Sequence, residues 1–230
     1  LLVQAMGGLM SVTGPAPGQP TKVGVALVDV ITGMHATIGI LAALNHRNLS
    51  GEGQEIEVNL LSSLLSAMVN QASSFVSGGV VPGILGNAHP SISPYEVYQT
   101  SDRPIVVAVG NDGQFVKLCE ELGIPEIASE ERFKTNPDRV SNRIELNELL
   151  FKQFLKQGAD HWWKALSISG VPCGPINAID DAFELATSLE LNPIIAIAQD
   201  GELRRQIANP ITFSKTPVRY DVAPPSLDEA

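Results

Sequence analysis

One carboxylate in this chain stands in an apolar setting: Asp29, between VALV and VITGM. Burial is expected there, and a bare charge in such surroundings is expensive. Two roles account for it, and they are compatible. As an N-cap, Asp29 would satisfy the first N–H groups of a following helix. As a nucleophile, it would already be ionised at neutral pH, because an unperturbed aspartate has a pKa of ~3.9. It would then attack a carbonyl carbon with no helper base, with Gly33 and a nearby helix N-terminus supplying room and backbone N–H groups. The second candidate is the loop GNAHP, where Gly86, Asn87, Ala88 and His89 could bring N–H groups to a substrate and stabilise an oxyanion. An interdomain turn explains the same composition, and His89 reads as a surface residue more readily than as a base. GNDGQF, residues 110–115, lacks the third glycine and the βαβ surroundings of a dinucleotide fingerprint. It reads as a strand-to-helix turn capped by Asp112.

The remaining polar groups carry no motif. His46 with Arg47, His161 with Trp162 and Trp163, and Arg204 with Arg205 are explained as solvated charges or core aromatics. The sequence contains no metal-ligand spacing, no Ser-His-Asp order and no Walker loop. Cys119 and Cys173 are the two cysteines, far apart, and read as small core residues in a reducing compartment. Asn48-Leu49-Ser50 matches a glycosylation sequon, but no secretory signal accompanies it.

The elements that would position these residues follow from periodicity and breakers. VGVALVDV reads as an extended segment leading into the helix ITGMHATIGILAALNHRN, whose small residues permit close packing. EIEVN alternates like a strand and LLSSLLSAMVNQASSFV repeats like a helix. After the linker-like SGGVVPG, YEVYQT and IVVAVG form a hairpin through SDRP. The helices QFVKLCEEL, RIELNELLFKQFLKQ (capped by Asn142) and HWWKALSISG follow, the first closed by Gly123. VPCGPIN is too rich in proline for a central strand and reads as an edge. AIDDAFELATSLEL is helical and LRRQIANPITFSKTPVRY returns to β-type alternation. The stretch ERFKTNPDRVSNR is polar and charged.

At 230 residues, with 44% hydrophobic and 17% charged residues, the chain is globular rather than disordered. Its net charge of −10 excludes a nucleic-acid partner, which needs clustered Lys and Arg. Gly24 to Leu44 is long enough to span a membrane and carries a single formal charge. The stretch also holds His35, two threonines and three glycines, and Asp29 would cost roughly 2.5–3.5 kcal/mol at a bilayer centre, less near an end, so a buried helix of a soluble protein is expected and no membrane association.

Taken in order, LLVQAMGGLMSVTG, GVALVDVITGMHA, SGEGQEIEVNLL, GNAHPSISPYEVYQT, VAVGNDGQF, RFKTNPDRVSNR, GVPCGPIN and ANPITFSKTP resemble class III CoA-transferases of the CaiB/BaiF (formyl-CoA and succinyl-CoA) type. The resemblance runs from about residue 1 to residue 227. It implies an α/β fold: a Rossmann-like large domain, incomplete here, and a smaller α+β domain, in an interlocked homodimer. The implied division is residues 1–80 as the remainder of the large domain, 81–190 as the small domain and 191–230 as the return segment. It places the catalytic carboxylate at Asp29 and the substrate-binding glycine-rich loop at Gly86, Asn87, Ala88 and His89. The partners implied are an acyl-CoA and a carboxylic acid acceptor, with CoA a substrate rather than a cofactor. Most CoA contacts are expected outside this chain, in an N-terminal part. The location expected is the cytoplasm, or the mitochondrial matrix in a eukaryote. Asp29 would form a mixed anhydride and then an aspartyl-CoA thioester. Two alternatives stay open: an α-methylacyl-CoA racemase of the same fold, and a non-catalytic oligomerisation module. The racemase-like Glu would fall at Asn111 or Asp112 and is not a Glu here.

Overall fold

Residues 1–199 and 202–223 are described by a computed structural model. They belong to two compact units, Leu1–Pro175 and Ile176–Ala230. In the first unit two short helices, α1 (Leu2–Met6) and α2 (Leu9–Val12), precede α3 (Leu27–Ser50), α4 (Leu60–Ala67) and α5 (Val69–Gly78). α3 runs 24 residues because its Ala, Leu and Ile positions contain no proline. It ends at Gly51, which takes the left-handed conformation (φ 81°) and donates its N–H to the Arg47 carbonyl. α4 starts at Asn59, whose side chain accepts the Ser62 N–H at 2.9 Å. The helix expected to run unbroken from Leu60 is interrupted at Val69, where φ is +41°.

Two expected extended segments pair with nothing among the described residues. VGVALVDV turns directly into α3, and Glu55–Asn59 stays extended but unpaired, laying Ile56 across Gly39 of α3. Alternation reports a half-buried extended backbone, whereas a strand also requires a hydrogen-bonded neighbour. The expectation of a buried α3 is also corrected. Val28 is its one buried residue, while Val30, Met34, Ile38 and Leu41, spaced along one face, are 57%, 53%, 63% and 61% exposed. α3 is therefore long and apolar enough to cross a membrane, with little of it covered within this chain.

The core of the first unit lies further along. β1 (Tyr95–Tyr98) and β2 (Ile105–Ala108) form the expected antiparallel hairpin, Tyr98 opposite Ile105. β2 is central, flanked on its other side by β3 (Cys173–Pro175), which is the edge its prolines require. Against this sheet lie α6 (Asp112–Glu121), a 3₁₀ turn at Pro125–Ser129, α7 (Asn136–Ser141), α8 (Arg143–Phe154) and α9 (Ala159–Ser169). Tyr98, Ile105, Val107, Phe115, Leu118, Phe133, Leu146, Leu150, Phe154 and Leu166 are all essentially inaccessible and form one cluster. Tyr98 stacks on Phe154 at 4.6 Å and donates its hydroxyl to Asn147 at 2.8 Å. Burial pushes its phenol pKa well above the usual value.

Two caps differ from expectation. The α6 cap is Asn111, which accepts the Gln114 N–H at 3.0 Å, and Asp112 is the first helical residue. Asn142 sits at the α8 cap position, but its amide donates back to the carbonyls of Arg132 and Asp138. In the second unit, α10 (Ile179–Ser188) is followed by the antiparallel pair β4 (Ile194–Gln199) and β5 (Glu202–Ile207). The loop-facing Asp181 carboxylate accepts the Ala178 N–H at 3.1 Å.

Candidate active site

Asp29 occupies the third position of α3, inside the first turn rather than at its cap, which is Ala26. Its carboxylate is exposed and makes no hydrogen bond or ion pair among the described residues. The first turn of a helix has N–H groups without intrahelical partners, which favour a negative charge. The turn is anchored beside Asp29 by buried Val28, and the segment leading into it by the Val23 N–H, four residues before the helix begins, donating to the buried Gln4 side chain at 2.9 Å. One helical turn ahead on the same face is Gly33, where a Cβ would meet nothing within 4 Å. Thr32 turns its hydroxyl inward to the Val28 carbonyl at 2.7 Å. The carboxylate thus stands over small or inward-facing neighbours, with space for an acyl carbonyl.

The loop from Gly86 to His89 is shaped by backbone contacts. Gly86 is left-handed (φ +64°), and a Cβ there would lie 2.9 Å from the Pro15 carbonyl oxygen, so only glycine fits without a shift. Gly86 and Asn87 are exposed, Ala88 and His89 half-buried. Ala88 donates its N–H to the Leu85 carbonyl at 3.3 Å, while among the described residues the N–H groups of Gly86 and Asn87 donate to nothing. The His89 Nδ1 accepts the Ser91 N–H at 3.2 Å, and the ring lies 5.4 Å from Tyr95. The Pro15 contact links the loop to the connection that leads into α3. No hydrogen bond or ion pair joins Asp29 to residues 86–89 among the described residues.

Three residues to which the sequence reading gave no role hold the far end of this loop. Asn136 donates to the Ser91 carbonyl at 2.8 Å and accepts the Ser93 N–H at 3.1 Å. Arg139 is completely buried: Nε donates to the Ser93 carbonyl at 2.8 Å and Nη1 to the Phe133 carbonyl at 3.0 Å. Its Nη2 pairs with Asp112 at 2.7 Å, and the guanidinium lies 4.4 Å from the centre of the Phe115 ring. Arg143 donates to the His89 carbonyl at 2.6 Å and the Ile92 carbonyl at 3.3 Å. Asn136 and Arg139, three residues apart, share a face of α7, while Arg143 opens α8.

The thiols are not rival nucleophiles. Burial pushes Cys119 up to about 12 despite the nearby Arg139, and burial likewise raises Cys173. His35, also on α3, is engaged with the buried Ser63 hydroxyl at 3.1 Å, fastening α3 to α4.

The sequence profile of CoA-transferase family III matches residues 1–230. The chain is 42% identical to a succinate–glutarate CoA-transferase of Agrobacterium fabrum, covering 99% of this chain and 57% of that protein. It is 34% identical to the mouse succinyl-CoA:glutarate CoA-transferase, covering 99% and 52%. A crystal structure of a CaiB/BaiF family protein from Brucella suis superposes with a TM-score of 0.85 at 38% identity, over 99% of this chain and 59% of the other. The chain therefore spans a little over half the length of these relatives. With the mixed helix-and-sheet fold and the whole-length match agreeing, this chain belongs to CoA-transferase family III.

Proposed function

We propose that this chain carries the nucleophile of an enzyme that moves CoA between an acyl-CoA thioester and a carboxylic acid, with Asp29 as that nucleophile. One observation carries the reading: an exposed, unpaired carboxylate in the first turn of α3, facing open space above Gly33. The Asp29 carboxylate attacks the thioester carbonyl and CoA leaves as its thiolate, giving a mixed anhydride. The thiolate attacks the aspartyl carbonyl, which releases the donor acid and leaves an aspartyl-CoA thioester. The acceptor carboxylate attacks that thioester and the steps run in reverse, so no water, oxidant or metal enters. Each tetrahedral intermediate carries an oxyanion, for which the undonated N–H groups of Gly86 and Asn87 are suitable partners. Dicarboxylates are the proposed acids, on the names of the relatives. The whole protein is proposed to be a cytoplasmic interlocked homodimer. Its Rossmann-like domain would combine residues 1–80 and 191–230 with sequence supplying the CoA contacts, around a small domain of residues 81–190.

The alternatives are less well supported. A racemase would use an acid at the 111–112 position, but Asn111 is occupied in capping α6 and Asp112 in pairing with Arg139. A non-catalytic module would need Asp29 as a cap, which Ala26 already is by position. The test is to incubate the full-length enzyme with acyl-CoA, quench with hydroxylamine or borohydride, and map the adduct by mass spectrometry. The adduct is expected on Asp29, and Asp29→Asn should lower transfer by several orders of magnitude with little loss of stability. An adduct elsewhere, or undiminished transfer, would overturn the assignment.

A further inference from the structure

Between His89 and Pro94 the chain has five peptide units, and a side chain holds every one. The His89 carbonyl is held by Arg143, and the next unit is held through the Ser91 N–H by the His89 ring. The Ser91 carbonyl is held by the Asn136 amide. The Ile92 carbonyl is held by Arg143 while the Ser93 N–H of the same unit donates to Asn136. The Ser93 carbonyl is held by Arg139. Immediately upstream the pattern inverts: the N–H groups of Gly86 and Asn87 have no partner among the described residues. At its other end the tip is seated by Gly86 on the Pro15 carbonyl. A short loop with free donors is thus strung between two fixed ends.

We propose that Asn136, Arg139 and Arg143 are positioning residues for acyl transfer: they fix the peptide planes of residues 89–94 and so set where the Gly86–Asn87 N–H groups point. This rests on the assignment of that loop to the oxyanion. The physical case is preorganisation. Donors already aimed at the developing charge need no reorganisation in the transition state, and a displacement of ~1 Å can cost about 100-fold in rate. Arg143 suits the task because its Nη2 alone reaches both the His89 and Ile92 carbonyls, tying two peptide units to one rigid, planar group. The Asn136 amide matches one donor and one acceptor on neighbouring peptide units, as a strand would. Because the clamp grips backbone alone, it fixes the loop's course without contacting the tip.

The experiment uses the full-length enzyme with Arg143→Ala, Arg143→Lys, Asn136→Ala and Gly86→Ala. It measures kcat, KM for acyl-CoA, melting temperature, and free CoA released with acceptor acid omitted. Arg139 is avoided because a fully buried guanidinium is needed for folding. Arg143→Ala and Asn136→Ala are expected to lower kcat by roughly 10- to 100-fold, with KM within about twofold. They should also raise the ratio of hydrolysis to transfer. Arg143→Lys should recover part of kcat, since its ammonium keeps the charge and the donors but lacks the rigid planar placement of Nη2. If Gly86→Ala raises the ratio while the folded Arg143→Ala and Asn136→Ala proteins match wild type, the clamp is refuted and the loop assignment stands. If Gly86→Ala also leaves kcat and the ratio unchanged, the loop assignment itself has failed. A uniform loss that follows melting temperature, with no change in the ratio, overturns the positioning role in favour of a structural one.

Discussion

Asp102 shows how a side chain far from the chemistry can be read as closely as the nucleophile. Its carboxylate accepts the Thr100 hydroxyl at 2.7 Å, the Ala159 N–H at 2.8 Å and the Arg103 N–H at 2.7 Å. These bonds, the hydroxyl first, lower its pKa to about 2. A Cβ on the neighbouring Gly158 would lie 2.6 Å from this carboxylate, so the two positions are matched. Because the folded pKa lies below the unfolded one, the stabilisation is complete above about pH 4 and is lost as pH falls through about 2. The stability gap between wild type and Asp102→Asn, followed by denaturant unfolding, should therefore be constant from neutral pH to about 5 and close between about 4 and 2. A gap that stays constant down to pH 2 would contradict the three-bond picture. At this scale the sequence was legible where a residue broke its surroundings. A charge inside VALVDVITGM drew attention to Asp29, yet the burial expected there is absent and the cap lies three residues earlier at Ala26; the choice between Asn111 and Asp112 turned on a one-residue offset in helix start, which periodicity leaves undetermined.

Among the elements, α7 shows the largest departure from its sequence reading. TNPDRVSNR is polar and charged, yet Arg139 sits at the centre of the joint between α6, α7 and the segment leading into β1, and none of it is exposed. Arginine is seldom fully buried unless paired; here three backbone carbonyls, a carboxylate and an aromatic face take it up. Arg139→Leu would strand those carbonyls and should cost about 3–5 kcal/mol. Asp112→Asn, at the solvent-facing end of the pair, should cost under about 1 kcal/mol. Urea unfolding of the full-length protein separates the two, and equal losses would refute the account. The Ser93 hydroxyl, buried beside this joint, is the unsatisfied polar side-chain atom of the region. Helices and the β1–β2 hairpin were legible because their signals are local. VGVALVDV and EIEVN were misjudged because pairing is not local: a strand exists only if a neighbour arrives, and none does among the described residues.

For the molecule as a whole, the bare stripe of α3 and the scarcity of buried residues before Tyr98 fit the proposed assembly, in which further sequence and a second copy would cover them. The full-length protein is expected to sediment as a dimer at micromolar concentration, with a buried interface of at least about 2,000 Å²; a stable, active monomer would refute this. This chain has a net charge of −10, so the proposed binding of an anionic acyl-CoA would need a locally positive region, expected outside this chain. The same helix has a consequence during synthesis. At ~1.5 Å per residue its 24 residues make a rod of about 36 Å, slightly longer than the ~30 Å hydrocarbon core of a bilayer. To a ribosome-bound targeting factor, a nascent segment of that length and hydropathy resembles cargo for membrane insertion. What distinguishes it is Asp29 in the first turn, His35 mid-way and Arg47 near the end. The carboxylate proposed for acyl transfer is thus also one of the polar residues that set this helix apart from a uniformly apolar span.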